Sequence, residues 1–153
     1  MIQGNAKELG ERMRAEINEE HRLLRQKLSA VAELCPDARN RANCWNCTLR
    51  SPKHCNNTIA DIGEDLMTYM VAHFRNEERV MRDTGLFQSA RETCERHMQD
   101  HGDLSESALQ LLTKLNNDTL PVQIAGMSSL LGQWLEKHIA QHDNKMLELL
   151  EKA

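Results

Sequence analysis

Four stretches of this chain repeat apolar residues at alternating steps of three and four, the spacing of one buried helical face, and ionisable side chains interrupt each stretch. Met13, Ile17, His21, Leu24, Leu28 and Val31 form the first stripe, which predicts a helix from about residue 4 to Leu34, where Cys35-Pro36 stops it. The second runs through Ile59, Ile62, Leu66, Met70, His73, Glu77 and Val80, with Thr58 as its predicted N-cap and Asp83-Thr84-Gly85 as its end. Ala90, Cys94, His97, His101, Leu104, Ala108, Leu111 and Leu115 make the third, which Asn116-Asn117-Asp118 breaks. Pro121 suits the first position of a last helix, whose face carries Ile124, Met127, Leu131, Trp134 and His138 and continues through Met146 and Leu150. This pattern predicts an all-α, up-down-up-down four-helix bundle with a loop-rich cysteine insert between helices 1 and 2, over about residues 35–57. No internal repeat divides the 153 residues, which suffice for a single domain, residues 1–153.

Composition agrees with a helical chain: aromatics are 3% of residues, and 3 Pro with 7 Gly leave long stretches free of helix breakers. A net charge of −4 without any block of Lys or Arg gives no electrostatic footprint for nucleic acid or an anionic membrane. The longest apolar runs fall well short of the roughly 18 residues that a membrane span needs. The charged N-terminus, MIQGNAKELGERMRAE, lacks the apolar core of a secretory signal, which predicts a cytoplasmic protein with reduced cysteines.

His21, His73, Glu77, His97, His101 and His138 each stand where an apolar residue would otherwise pack. One unsatisfied buried polar group costs about 1–3 kcal/mol, so a set of six must be mutually compensated or must hold a metal. Their depths register. Counted from the bundle end that carries the insert, His21, His73, His101 and His138 lie about 13 to 17 residues down, one layer roughly 20–25 Å below that end. Glu77 and His97 lie about one turn deeper. Histidines with a carboxylate that can bridge suit iron, copper or zinc, and favour a two-metal centre.

His73-Phe74-Arg75-Asn76-Glu77 reads HxxxE, His97-Met98-Gln99-Asp100-His101 reads HxxxH, and His138 to Asp143 reads HxxxxD, with Glu19-Glu20-His21 ahead of them. In order and chemistry these elements resemble the hemerythrin family, specifically bacterial hemerythrin-like domains, over nearly the whole chain apart from the insert. The resemblance implies two iron ions with an oxo or hydroxo bridge: His97, His101 and His138 on one iron, His21 and His73 on the other, and Glu77 and Asp143 bridging. The first iron then has six ligands and the second has one open position, suited to a small diatomic such as O₂. Leu24, Met70, Leu104 and Trp134 are candidate walls for it. His142, four residues after His138, competes with Asp143 on spacing, since Asp143 lies about 140° round from His138 on an ideal helix. The family pattern selects Asp143 and leaves His142 at the surface or behind a ligand. Glu78 is read as facing solvent and Cys94 as a small core residue.

Two features depart from the family pattern. Gly85-Leu86-Phe87 stands where Tyr-Pro often precedes the HxxxH helix, and an insert carries Cys35, Cys44, Cys47 and Cys55 where a short loop is usual. The spacing C-x8-C-x2-C-x7-C offers an all-thiolate site for one structural zinc, with His54 an alternative to Cys55, a thiol-disulfide switch next and an iron–sulfur cluster last.

The resulting expectation is a non-haem di-iron protein that binds O₂ reversibly, as an oxygen or redox sensor or a carrier, with a signalling protein or output domain as its partner. No catalytic residue is assigned. The alternatives are nitric oxide or peroxide handling or iron donation at the same centre, and a zinc-stapled interaction module.

Overall fold

The helix predicted to end at Cys35-Pro36 does so: α1 covers Ile2–Leu34. The computed structural model of the protein describes residues 2–36, 38–45, 47–49, 51–116 and 118–152, so Asn117 of the predicted third break lies outside the described residues. Beyond α1 come a single 3₁₀ turn at Ala38–Asn40, α2 (Pro52–Asp83), a short α3 (Leu86–Ser89), α4 (Arg91–Thr113) and α5 (Leu120–His138). A π-helical turn, Ile139–Asp143, then joins α5 to α6 (Asn144–Lys152). α1 packs on α2, α5 and α6, α2 packs on α4, and α4 packs on α5, which closes four rods into a ring with α5, the π turn and α6 as one rod. This is the predicted four-helix bundle.

The apolar stripes meet inside the ring as two separate clusters. Toward the insert, Leu24, Val31, Ile59, Leu66, Phe74 and Ile124 belong to the larger one. At the other end Ile17, Val80, Met81, Cys94, Met146 and Leu147 form the smaller one, so Cys94 is a core residue as expected. Between them lies a slab of buried His, Glu and Asp side chains.

Glycine matters at two places. Gly85 adopts φ of 78°, a left-handed conformation that side chains with a Cβ rarely take, where the chain turns from α2 into α3. Gly63 lets α2 approach α4 closely: a Cβ there would meet Leu112 Cδ2 at 2.7 Å.

Two predicted boundaries move and one short helical turn is added. α2 begins at Pro52 rather than after Thr58, because Ser51-Pro52 is the better start: Ser51 Oγ accepts from the His54 amide at 3.1 Å and proline needs no amide partner at the first position. Thr58 instead donates its hydroxyl to the His54 carbonyl one turn back, at 2.8 Å. The loop is therefore residues 35–51, and Cys55 stands on a helix. Gly85 leads into the extra turn α3, and the third predicted helix stops at Thr113 rather than Leu115. Trp134 flanks the last stripe, whose buried member is Leu135. No helix among the described residues is long and apolar enough to cross a membrane.

The position of the α2 cap is measurable. Ser51→Ala should cost about 1 kcal/mol in urea unfolding and speed hydrogen exchange of the amides at residues 54–57, whereas Thr58→Ala should leave both near the parent.

Candidate metal centre

Each rod delivers polar side chains to the same depth. His21 comes from α1, His73 and Glu77 from successive turns of α2, and His97 and His101 from successive turns of α4. His138 ends α5 and Asp143 ends the π turn. All seven are buried, none more than 3% exposed. Residues four apart share a helix face, which accounts for the first two pairs. The last pair is five apart and needs the wider turn: the π geometry of Ile139–Asp143 takes up one extra residue and rotates Asp143 onto the face of His138. Asp143 is 0% exposed as a result, and no regular helix at this point would bury both side chains.

The two carboxylates divide their oxygens between two groups of imidazoles. Asp143 Oδ1 lies 2.8 Å from His97 Nε2 and 2.7 Å from His138 Nε2, while Oδ2 lies 2.7 Å from His21 Nε2 and 3.7 Å from His73 Nε2. Glu77 repeats the division: Oε2 is 3.1 Å from His101 Nε2 and 3.3 Å from His97 Nε2, and Oε1 is 3.6 Å from His73 Nε2. Donor atoms of Glu77, His97, His101, His138 and Asp143 all lie within 4.8 Å of one another, as do those of His21, His73, Glu77 and Asp143. Two overlapping donor sets, with three and two histidines and the same two carboxylates in common, suit a pair of metal ions bridged by both carboxylates.

The chemistry of the donor atoms fits that assignment. His73 Nε2, His138 Nε2 and Glu77 Oε1 are fully buried and aimed into the centre without a well-directed hydrogen bond, even where, as for His138 Nε2 and Asp143 Oδ1, the atoms are only 2.7 Å apart. On the outer side of the rings, His73 Nδ1 donates to Glu20 at 2.5 Å, His101 Nδ1 to Glu78 at 2.9 Å and His138 Nδ1 to Asp100 at 2.5 Å. A carboxylate only accepts, so each Nδ1 carries a hydrogen and each Nε2 is left for the centre, to hold a proton in the metal-free protein or to offer a lone pair to a cation. Asn76 holds Glu20 from its other oxygen at 2.9 Å.

The charges are mutually dependent. Burial works against ionised Glu77 and Asp143, but the imidazoles of His101, His138 and His97 around Glu77, and of His138, His21, His73 and His97 around Asp143, hold both carboxyls far below the usual carboxylate range. Burial likewise opposes charge on His73 and His138, and the carboxylates of Asp143 with Glu20, and of Asp143 with Glu77, overcome it and raise them to about 9 and about 10. The centre thus favours positive charge at Nε2, where a cation would sit.

Two readings of individual residues change. Glu78 does not face solvent: its side chain is 21% exposed and orients His101. Trp134 lines an outer groove between α4 and α5 with Asp100, Asp103 and Lys137, whereas Leu24, Met70 and Leu104 do wall the inner cavity. His142 belongs to neither of the two donor sets but to a third, half-buried group with Asp100 and His138, its ring stacked on His97 at 5.3 Å and its Nε2 3.7 Å from Asp100. Of the orienting carboxylates, Glu20 and Asp100 have no role in the sequence reading and Glu78 is read there as facing solvent; their signal is adjacency, each being the immediate neighbour of a stripe His or Glu. A neighbour sits about 100° round the helix, which points it at the seam with the next rod.

The four insert cysteines gather at one end of the bundle and form no disulfide. Burial pushes the Cys44 thiol up, and Cys55, Cys35 and Cys47 lie close enough to push it further.

Asp143→Ala should empty the centre of metal and lower stability by several kcal/mol in the metal-loaded protein, because both donor sets lose a carboxylate. Asp100→Asn should weaken metal binding about 10- to 100-fold by disturbing the orientation of His138, while His142→Ala should retain metal. Metal analysis after dialysis against a chelator ranks the three.

A family model, the hemerythrin HHE cation-binding domain, matches residues 12–150 and so spans every residue of both donor sets. No curated protein and no solved structure matches the chain. With the match extending over all four rods, and with the HxxxE, HxxxH and HxxxxD elements converging on one buried centre, the chain belongs to the hemerythrin HHE cation-binding family.

Proposed function

We propose that this chain is a non-haem di-iron protein that binds O₂ reversibly and works as an oxygen or redox sensor or as a carrier. His97, His101 and His138 hold one iron in this reading, His21 and His73 the other, and Glu77 and Asp143 bridge them. The observation that carries it is the unequal pair of donor sets around shared carboxylates: three imidazoles face one side of the centre and two face the other. The side with fewer donors has room for one added ligand. A pair of ferrous ions supplies the electrons needed to bind and release dioxygen.

The residues around the centre favour a small neutral ligand. Immediately toward the insert is an apolar cavity of about 20 Å³ lined by Leu24, Leu28, Met70, Phe74, Leu104 and Leu135, among others. Leu24 and Met70 lie one turn from His21 and His73, the side with fewer donors. A space of that size accepts about one small molecule, and hydrocarbon walls offer water no partner. Outside the rings, Glu20, Glu78 and Asp100 keep each Nδ1 hydrogen in place, so the imidazoles stay oriented as ligands come and go. As a sensor the protein would pass its state to a signalling protein or an output domain.

Protein isolated from iron-sufficient cells should contain about two irons per chain and give an optical band in air that disappears under nitrogen and returns. Absence of iron overturns the reading. Consumption of nitric oxide or peroxide with turnover, in place of a reversible band, favours an enzyme. Met70→Phe, which fills the cavity, should weaken O₂ binding at least tenfold while iron content stays unchanged.

A further inference from the structure

The insert places two cysteines on the framework and two on the loop that joins it. Cys35 directly follows α1, and Cys55 lies in the first turn of α2, its amide bound to the Ser51 carbonyl at 3.2 Å. Cys44 and Cys47 belong to one tight turn, closed by the Cys47 amide on the Cys44 carbonyl at 3.3 Å. All four are half-buried, and Cys35, Cys44 and Cys55 pack against the same apolar cluster at this end of the bundle. His54 is exposed and turned along its own helix toward Thr58, 3.5 Å away, which leaves Cys55 as the sulfur donor from α2.

We propose that Cys35, Cys44, Cys47 and Cys55 bind one zinc ion as four thiolates, at a site separate from the buried histidine centre. Four sulfurs match the closed tetrahedral shell of a structural zinc, and a two-residue spacer lets neighbouring thiolates meet one ion. The loop gives a reason for the site. Residues 35–51 connect two long helices with, among the described residues, one 3₁₀ turn of regular structure; Ala38, Cys35 and Cys44 anchor the loop to the apolar cluster, but Trp45 and Leu49 are 64% and 59% exposed, so apolar burial fixes the Cys44–Leu49 part only weakly. A metal clip that ties the loop to both helix ends supplies that constraint. No three of these sulfurs lie within 4.8 Å of one another, so binding draws the Cys44–Cys47 turn in onto Cys35 and Cys55. The thiols release their protons to solvent as they bind, and no electron is transferred. About twenty residues of α2 separate Cys55 from His73 and Glu77, which puts the site roughly 30 Å from the histidine layer.

The test uses the full chain, reduced and freed of metal at the insert, with the histidine centre loaded with iron. Cobalt(II) should bind at about one equivalent with the intense visible bands and the near-ultraviolet thiolate charge-transfer band of a tetrahedral sulfur site, and zinc should displace it. In a Trp134→Phe background, zinc should also change the fluorescence of Trp45, the remaining tryptophan. Cys44→Ser/Cys47→Ser should lose the thiolate band and the fluorescence response while keeping the iron content of the parent. Retention of equal zinc by that double variant overturns the proposal. So does a reduced parent that binds no zinc in excess, and so does a disulfide among these cysteines that persists when zinc is present. Iron is counted separately from zinc, so failure here is distinct from failure of the di-iron reading.

Discussion

Two buried carboxylates, Glu77 and Asp143, organise this bundle. Neither has any exposed surface, and an uncompensated charge at such a depth would cost several kcal/mol. Compensation comes from five imidazoles carried by all four rods. That requirement fixes the depth of every rod relative to the others, because sliding one helix by a turn would carry a histidine into one of the apolar clusters and leave a carboxylate oxygen bare. The apolar clusters on either side supply most of the burial, but they tolerate exchange of one aliphatic contact for another far better than the polar slab tolerates a change of register.

The outer carboxylates follow from the same constraint. Glu20, Glu78 and Asp100 have side chains 19%, 21% and 34% exposed, so they keep part of their hydration while reaching the Nδ1 atoms of buried rings. As acceptors at the rim, they fix the tautomer and the direction of His73, His101 and His138. Each bond also crosses between rods: α1 to α2, α2 to α4, and α4 to α5. Each of these donors is thereby held in orientation by a residue at the rim.

Much of this was legible because a polar residue in an apolar stripe is conspicuous. His21, His73, Glu77, His97, His101 and His138 announced themselves by period and by common depth, and all six are buried where the stripes placed them. Asp143 did not. Regular geometry puts it about 140° from His138, and resemblance to a family, rather than spacing, singled it out; the π turn that brings it inward has no local signature in Ile139-Ala140-Gln141-His142. The start of α2 was hidden for a different reason: Pro52, Lys53 and His54 are exposed on every side, so no stripe marks the first turn and only the Ser51-Pro52 cap reveals it. Trp134 and Leu135 are adjacent and apolar, and which one turns inward depends on the neighbouring rod rather than on hydrophobicity.

The asymmetry of the centre lies on one pair of rods. α1 and α2 supply the two-histidine side, and the same two helices are joined by the cysteine loop. A displacement of that loop can reach the polar slab as a relative shift of α1 against α2, or through α5, on which the Ala38–Asn40 turn packs. Glu20 of α1 resists such a shift directly, since one of its oxygens accepts from His73 and the other from Asn76, both on α2. Nearer the loop the pair of Lys27 with Asp65, 2.6 Å apart, spans the same seam, though an exposed ion pair of this kind adds little energy. The donor sets take every atom from helices or from the π turn and none from a loop, so the chain can carry a long, chemically distinct insertion at one end without altering the geometry of the centre.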